Sequence, residues 1–547
     1  MQPFYPILPN EKPPPGGKEE VGNKAWNLMR MVAAGLSVPA GFVLPTDWCR
    51  LHRRGTLDET LLREALSGGI KRLEAASGLG FGIARRPLLV SVRSGAAVSM
   101  PGMMETVLDI GLNPQTVDGL IRQTGNPRLA WDSFRRLVQG YAEVVAGLPA
   151  VPFDALVADA LAAIDAASER ELDHLSLRRL TQAMLEEYQA QAGSPFPADP
   201  AVQLMEAARA VLGSWDAPKA ASYRKLNGID DDAGTAVTVQ AMVYGNAGGA
   251  SGAGVGFTRN PATGEREFYF DFQFNGQGED VVAGRQVLRD NARLRRILPN
   301  IWTELEKTCH ELELLFRDAQ DFEFTIEAGR LYLLQARRAK RTPWAAIRIA
   351  VAMAEEGLIG PDEALAQLHE VDIAAVGRTR FAPPLPEPLA RADIAGIGVA
   401  SGAIALDSDA AGRMAASGAS VILVRRETST ADIEGMAAAA GILTATGGRT
   451  SHAAVVARQL GKVCLVGCPD LTTDMDRRVC RIGGRELPEG SFLSVDGNDG
   501  AIYAGQLTAI TERPQQELAV IKGWQAAVGP TTRKARAWRR PSDKASR

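Results

Sequence analysis

The chain has 547 residues, 46% of them hydrophobic, with 61 basic against 64 acidic side chains and a net charge of −3. That length allows several domains with real cores, and the near-neutral balance gives no electrostatic reason to expect nucleic acid or a membrane surface. No apolar run is long enough for a bilayer and the start lacks a signal-peptide core, while five scattered cysteines suit reduced thiols in the cytoplasm rather than a disulfide framework.

Residues 1–15 are proline-rich and polar and read as a loose arm. Lys24, in Gly22-Asn23-Lys24-Ala25-Trp26-Asn27-Leu28, reads on its own as a surface helix lysine. Gly35 to Phe42 is a turn entering a strand, and residues 87–94 form a short apolar strand that carries Arg93 into a glycine-rich loop. The block Met100-Pro101-Gly102-Met103-Met104-Glu105-Thr106 follows. Residues 114–226 are helical in pattern, rich in Ala, Leu and Arg with few β-branched runs. Residues 236–244 are strand-like and hold Gln240 and Met242. The stretch from Gly245 to Gly256 contains six glycines, and its place between two strands favours a phosphate-covering flap over a plain linker.

Residues 322–337 predict a hairpin. Phe322, Phe324 and Ile326 alternate with Asp321, Glu323 and Thr325, and Glu327-Ala328-Gly329 fits a three-residue loop with glycine in the left-handed position. An odd loop keeps odd-numbered residues together. Asp321, Glu323, Gln335 and Arg337 then share one face, with Phe322, Phe324, Tyr332 and Leu334 mostly on the other. Two acids, an amide and a guanidinium side by side are costly to bury without pairing or a ligand. Residues 340–368 read as a helical linker, and Ala382-Pro383-Pro384-Leu385-Pro386-Glu387-Pro388 as a boundary. Residues 394–505 alternate short strands (419–424, 441–444, 463–466) with helices. Cys464 and Cys468 lie in an apolar stretch without a second ligand pair, so no zinc site is expected there. A helix and a basic, polar tail from Thr531 to Arg547 end the chain.

The most chemically loaded segment is Gly447-Gly448-Arg449-Thr450-Ser451-His452-Ala453-Ala454-Val455-Val456-Ala457-Arg458. Two glycines permit tight, amide-forward turns. Thr450 or Ser451 suits the cap of a helix over 453–460, and Gly461 its end. His452 then stands on the first turn, where free N–H groups and the helix dipole favour an anion. A neutral imidazole there is a nucleophile near pH 7. No Gly-x-x-x-x-Gly-Lys-Ser/Thr run occurs, so a P-loop is not expected.

These blocks, with Val90-Ser91-Val92-Arg93-Ser94-Gly95, Phe257-Thr258-Arg259-Asn260-Pro261 and Gln277-Gly278-Glu279-Asp280-Val281-Val282-Ala283-Gly284, stand in one order. In that order the chain resembles the N-terminal two-thirds of the pyruvate, phosphate dikinases. The resemblance implies an α/β (α+β) multidomain protein. Its parts would be an ATP-grasp-type nucleotide-binding domain over 1–340 with a helical insertion at 114–226, a helical linker over 341–388, a swivelling phosphohistidine β/α domain over 389–508, and a helix with basic tail over 509–547. By resemblance Lys24 contacts ATP phosphates, Arg93 stabilises the transferring group, and Glu323 and Gln335 hold Mg²⁺ with Asp321 nearby. Arg337 matches a phosphate-binding arginine, Glu279 an acid of the same region, and Gln240 and Met242 lie beside the adenine. His452 is the phosphoryl carrier, and Thr450 matches a threonine that a dedicated regulatory kinase/phosphatase modifies in plant and bacterial dikinases. The Met-Pro-Gly-Met-Met-Glu-Thr block favours inorganic phosphate over water as cosubstrate.

Two departures stand out. Ala253 replaces the usual Thr in Ser251-Gly252-Ala253-Gly254, removing a hydroxyl whose bond to a charged group is worth roughly 1.5–3 kcal/mol. Arg449 replaces a Met. In the family a barrel that binds pyruvate and phosphoenolpyruvate follows the histidine domain. Only residues 506–547 follow it here, so the acceptor is expected on a separate chain. The alternatives are a phosphotransferase with another acceptor and a non-catalytic, ATP-sensing relic.

Overall fold

The structure, a computed structural model, describes residues 2–98, 100, 104–278, 291–429, 432–447 and 452–527. Glu279 and Thr450, both named above, lie outside the described residues. Three principal sheets organise the chain. The first is antiparallel, in the order Tyr5–Ile7, Gly41–Leu44, Ala236–Ala241, Val90–Gly95, Thr106–Ile110. Its buried Phe42, Val90, Val92 and Val239 share one core with the helical stretch that follows, including Leu129, Phe134, Leu177 and Val211. That stretch includes the helices Pro127–Val144, His174–Ala192 and Pro200–Gly213. Side-chain caps start all three: Asn126 accepts from the Leu129 amide, Asp173 from Ser176 and Asp199 from Ala201.

The second sheet runs Arg330–Arg338, Gln320–Glu327, Gly252–Phe257, Tyr269–Phe274, again antiparallel. It narrows the flap expectation, because residues 252–256 of the glycine-rich run belong to a strand inside this sheet and only residues 245–251 remain as a connection between strands. Glycine at every second position leaves room on one face for aromatic rings. A Cβ at Gly252, Gly254 or Gly256 would meet the rings of Phe272, Phe324 or Phe322 at 2.2, 2.3 and 2.7 Å. These rings, with Phe270, Leu331 and Leu333, form the second core. Ala253 lies on the other face of that strand, fully buried and paired with Thr325.

The hairpin also differs from its expectation. Its loop has two residues, Ala328 and Gly329, both at positive φ (49° and 77°), as in the hairpin turns whose twist matches the strands. A two-residue loop alone would set Glu323 opposite Leu334. A β-bulge between Glu323 and Phe324 moves the register by one, so that Glu323 faces Gln335 and Asp321 faces Arg337. Leu331 and Leu333 therefore enter the core, while Tyr332 and Leu334 stay half-buried on the side of Glu323 and Thr325 rather than with the phenylalanines.

The third sheet has eight strands in the order Ala390–Arg391, Ala501–Ala504, Phe492–Asp496, Val399–Ala405, Val421–Arg425, Gly441–Thr444, Val463–Val466, Asp393–Gly396. The four from Val399–Ala405 to Val463–Val466 are parallel. Short helices, Ser408–Ala416, Ile433–Ala438 and His452–Gln459, cross between them. Linker helices Pro343–Glu355 and Pro361–Gln367 share a separate core with the late helix Gln515–Ala527, through Ile347, Ala350, Leu518 and Ile521. An antiparallel ribbon of Arg378–Phe381 with Ala509–Glu512 joins the two chain crossings to the eight-stranded module. No described helix is long and apolar enough to cross a membrane.

Candidate functional site

A cleft of about 360 Å³ opens between the first two sheets, lined from separate segments by Lys24, Arg93, Met242, Glu323 and Gln335 among others. The helix Gly17–Ala33 spans both sheets at this point. Gly22 breaks it at φ 75°, ψ 155°, and a Cβ there would fall 2.1 Å from the Gly95 carbonyl, so only glycine fits. The Asn23 amide donates to the Ala96 carbonyl at 2.9 Å, and Asn27 Nδ2 donates to the Ala336 carbonyl of the hairpin at 2.8 Å. Lys24 is thus held between Arg93 on one sheet and Glu323 on the other. Burial, with help from Arg93, lowers its ammonium pKa to about 8, against the pull of Glu323.

The crossover from Met242 to Gly245 closes one end of the cleft. The Met242 amide donates to Leu89 at 2.9 Å and the Tyr244 amide to Glu327 Oε1 at 3.0 Å. The Tyr244 hydroxyl donates to Asp109 Oδ1 at 3.1 Å, and burial followed by the Asp109 charge pushes its pKa far up. At the other end stands the hairpin. Its bulge lets the neighbours Leu334 and Gln335 both line the cleft beside Glu323 and Thr325. Asp321 is committed to Arg337, with Nε donating to Oδ2 at 2.8 Å. Burial nonetheless raises the Asp321 carboxyl pKa, the guanidinium opposing it. This ion pair flanks the lining residues and is not itself among them. Gln240 stands apart: it is 1% exposed, and its Nε2 donates to the Pro39 carbonyl at 2.9 Å inside the sheet.

The histidine segment sits elsewhere. His452 begins the helix His452–Gln459, which follows the carboxyl end of the parallel strand Gly441–Thr444, where open α/β sheets place their ligands. Ala453, Ala454 and Ala457 anchor that helix in the core. Among the described residues, none of the eight-stranded module lines the cleft.

Two families match the chain. The one described as "Pyruvate phosphate dikinase, AMP/ATP-binding domain" covers residues 54–301, and the one described as "PEP-utilising enzyme, mobile domain" covers residues 418–500. Pyruvate, phosphate dikinase of Rhizobium meliloti (strain 1021) is 42% identical over 529 residues, 93% of this chain and 58% of that protein. The namesake from Clostridium symbiosum is 42% identical over 499 residues, covering 89% of this chain and 56% of its own length. Pyruvate, phosphate dikinase 2 of Zea mays is 41% identical over 512 residues, 93% and 58% respectively. The chain is a homologue of the pyruvate, phosphate dikinases. It spans 56–58% of the length of those relatives.

In this dikinase homologue the cleft pairs cationic groups on one wall with oxygen donors on another, the arrangement that polyphosphate and a divalent cation need. No group of three His, Cys, Asp or Glu side chains is placed to hold a metal ion among the described residues. Glu323 and Gln335, directly opposite each other, supply one carboxylate and one amide oxygen. That set suits a small hard cation that takes its remaining ligands from phosphate and water. Sequence reasoning missed Thr106, Leu108, Tyr244, Thr325 and Gln277 in the lining. Thr325 was legible as the next odd position of the hairpin. Thr106 and Gln277 lie in blocks that carry the family resemblance, without a role assigned there; Leu108 and Tyr244 are ordinary strand or loop residues until the sheets meet.

Proposed function

We propose that this chain phosphorylates His452 at the expense of ATP and inorganic phosphate. The observation that carries this reading is the convergence of Lys24, Arg93, Glu323 and Gln335 from separate segments on one cleft. The nucleotide part is read as an ATP-grasp-type fold and the eight-stranded module as a swivelling carrier. What supports this reading is that no described residue of the module lines the cleft, and movement of the module would bring the histidine to a phosphate bound there.

In the proposed reaction the imidazole of His452 attacks the β-phosphorus of ATP. The bond from that phosphorus to the oxygen bridging to the α-phosphate breaks, and AMP leaves with the electron pair. The terminal phosphoryl of the pyrophosphorylated histidine then passes to inorganic phosphate, giving pyrophosphate and phosphohistidine. Lys24 and Arg93 bind and orient the phosphates, and Arg337, turned by Asp321, adds charge at their edge. Glu323 and Gln335 would hold Mg²⁺, which neutralises phosphate charge when bound. Met242 borders the base. Phosphorylation of Thr450, two residues before the carrier, would add roughly −1.5 to −2 charge and repel the incoming nucleotide.

AMP formation by the purified chain, with and without phosphate, tests the donor half-reaction; no AMP under either condition sinks it. Onward transfer to pyruvate, suggested by the relatives' name, is assayed as phosphoenolpyruvate formation with and without an added pyruvate-binding domain from a dikinase relative.

A further inference from the structure

Gln277 is 8% exposed, and its Nε2 donor is buried without a hydrogen-bond partner among the described residues. Buried donors are nearly always satisfied, and an orphan one calls for an acceptor that arrives later. Gln277 also lines the nucleotide cleft. Its position there is fixed by backbone contact. A Cβ at Gly245 would lie 2.2 Å from the Gly276 carbonyl, so the turn carrying Gln277 presses on the end of the Met242 to Gly245 crossover. That is the end of the cleft lined by Met242 and Val243, whereas Lys24, Glu323 and Gln335 come from the helix and the hairpin.

We infer that Gln277 is a nucleoside-binding residue, whose Nε2 donates to a ring nitrogen or ribose oxygen of the bound nucleotide and not to its phosphates. The inference rests on the nucleotide-binding reading above. A purine offers ring nitrogens as acceptors along its edges, and a neutral amide is the donor that suits them without adding charge.

The test is calorimetric titration of the full chain with ATP, AMP and tripolyphosphate, for wild type, Gln277→Leu and Gln277→Glu. Loss of one neutral hydrogen bond should weaken ATP and AMP by the same factor, about five- to tenfold, in both variants, since the carboxylate keeps an acceptor but loses the donor. Tripolyphosphate should bind as before. The melting temperature of unliganded Gln277→Leu should hold or rise, because its orphan donor is gone, while the stabilisation by AMP shrinks. A purely structural role for Gln277 would instead lower the unliganded melting temperature and leave AMP affinity alone. Weaker tripolyphosphate binding, or unchanged AMP binding, would overturn the assignment. A wild-type chain that binds neither ATP nor AMP would overturn the nucleotide reading itself.

Discussion

The cleft between the first two sheets and the histidine segment are built in opposite ways. The cleft draws Lys24, Arg93, Met242, Glu323 and Gln335 from positions spread over more than half the chain, and it exists only when two sheets and a broken helix meet. The histidine stands in one short run, on a helix that follows a parallel strand. A site of the first kind depends on distant packing and register. A site of the second kind travels with its own module. Mutations far from the chemistry should therefore damage the first and spare the second.

Arg259 offers the largest break in this comparison. Its guanidinium is 0% exposed and bonds both carboxylate oxygens of Glu313, itself 2% exposed, and both of Glu356. It ties the helices Pro299–Phe316 and Pro343–Glu355 to the strand beside the hairpin. Arg259→Met leaves the Glu313 charge buried and unpaired, and should cost about 3–5 kcal/mol. Denaturant unfolding followed by a probe in each module should show the loss in the nucleotide part, with the eight-stranded sheet unfolding as before. Next in size, Glu323→Ala should lower AMP formation by about 10²–10³ without moving the unfolding midpoint. Near-normal turnover would make the hairpin face a solvated surface.

These two residues also show what the sequence allowed. The Asp321, Glu323, Gln335, Arg337 face was legible from alternation, yet through the wrong loop. A three-residue loop and a two-residue turn with a bulge put the same odd-numbered residues on one face, although the loop would set Asp321 opposite Gln335 where the bulge sets it opposite Arg337, and nothing in Leu334 distinguishes an apolar core position from a bulge. The glycine run suggests a flap by its place between two strands. Its role as a strand shows only when the rings of Phe272, Phe322 and Phe324 fill the spaces left by missing Cβ atoms. Gln240, placed beside the base by position alone, is spent on the Pro39 carbonyl. The histidine segment needed no such assembly, since its glycines, caps and helix are contiguous.

A pH series sharpens the comparison at Lys24. Its folded pKa of about 8 lies below the ordinary lysine value of 10.5, so the unfolded chain holds the proton more tightly. Stability of the unliganded protein should therefore rise with pH from about 8 to 10.5 through this group. Lys24→Met should stabilise the unliganded protein below pH 8 and lose that advantage as pH rises through the window. Nucleotide affinity of the wild type should fall as pH climbs past 8, because the ammonium is lost; a pH-independent affinity would remove Lys24 from the phosphates. The smallest effect is expected at Ala328, which holds φ 49° without being glycine. Ala328→Gly should stabilise by about 0.5–1 kcal/mol in thermal unfolding, since glycine adopts that region at no steric cost.

The most direct measurement joins the two regions. The chain is incubated with ATP labelled at the β-phosphorus and with inorganic phosphate, and the protein is then digested and sequenced for label. The account predicts label on His452, release of AMP, and loss of label in His452→Ala with ATP binding retained. Label on another residue, or undiminished label in His452→Ala, would contradict it.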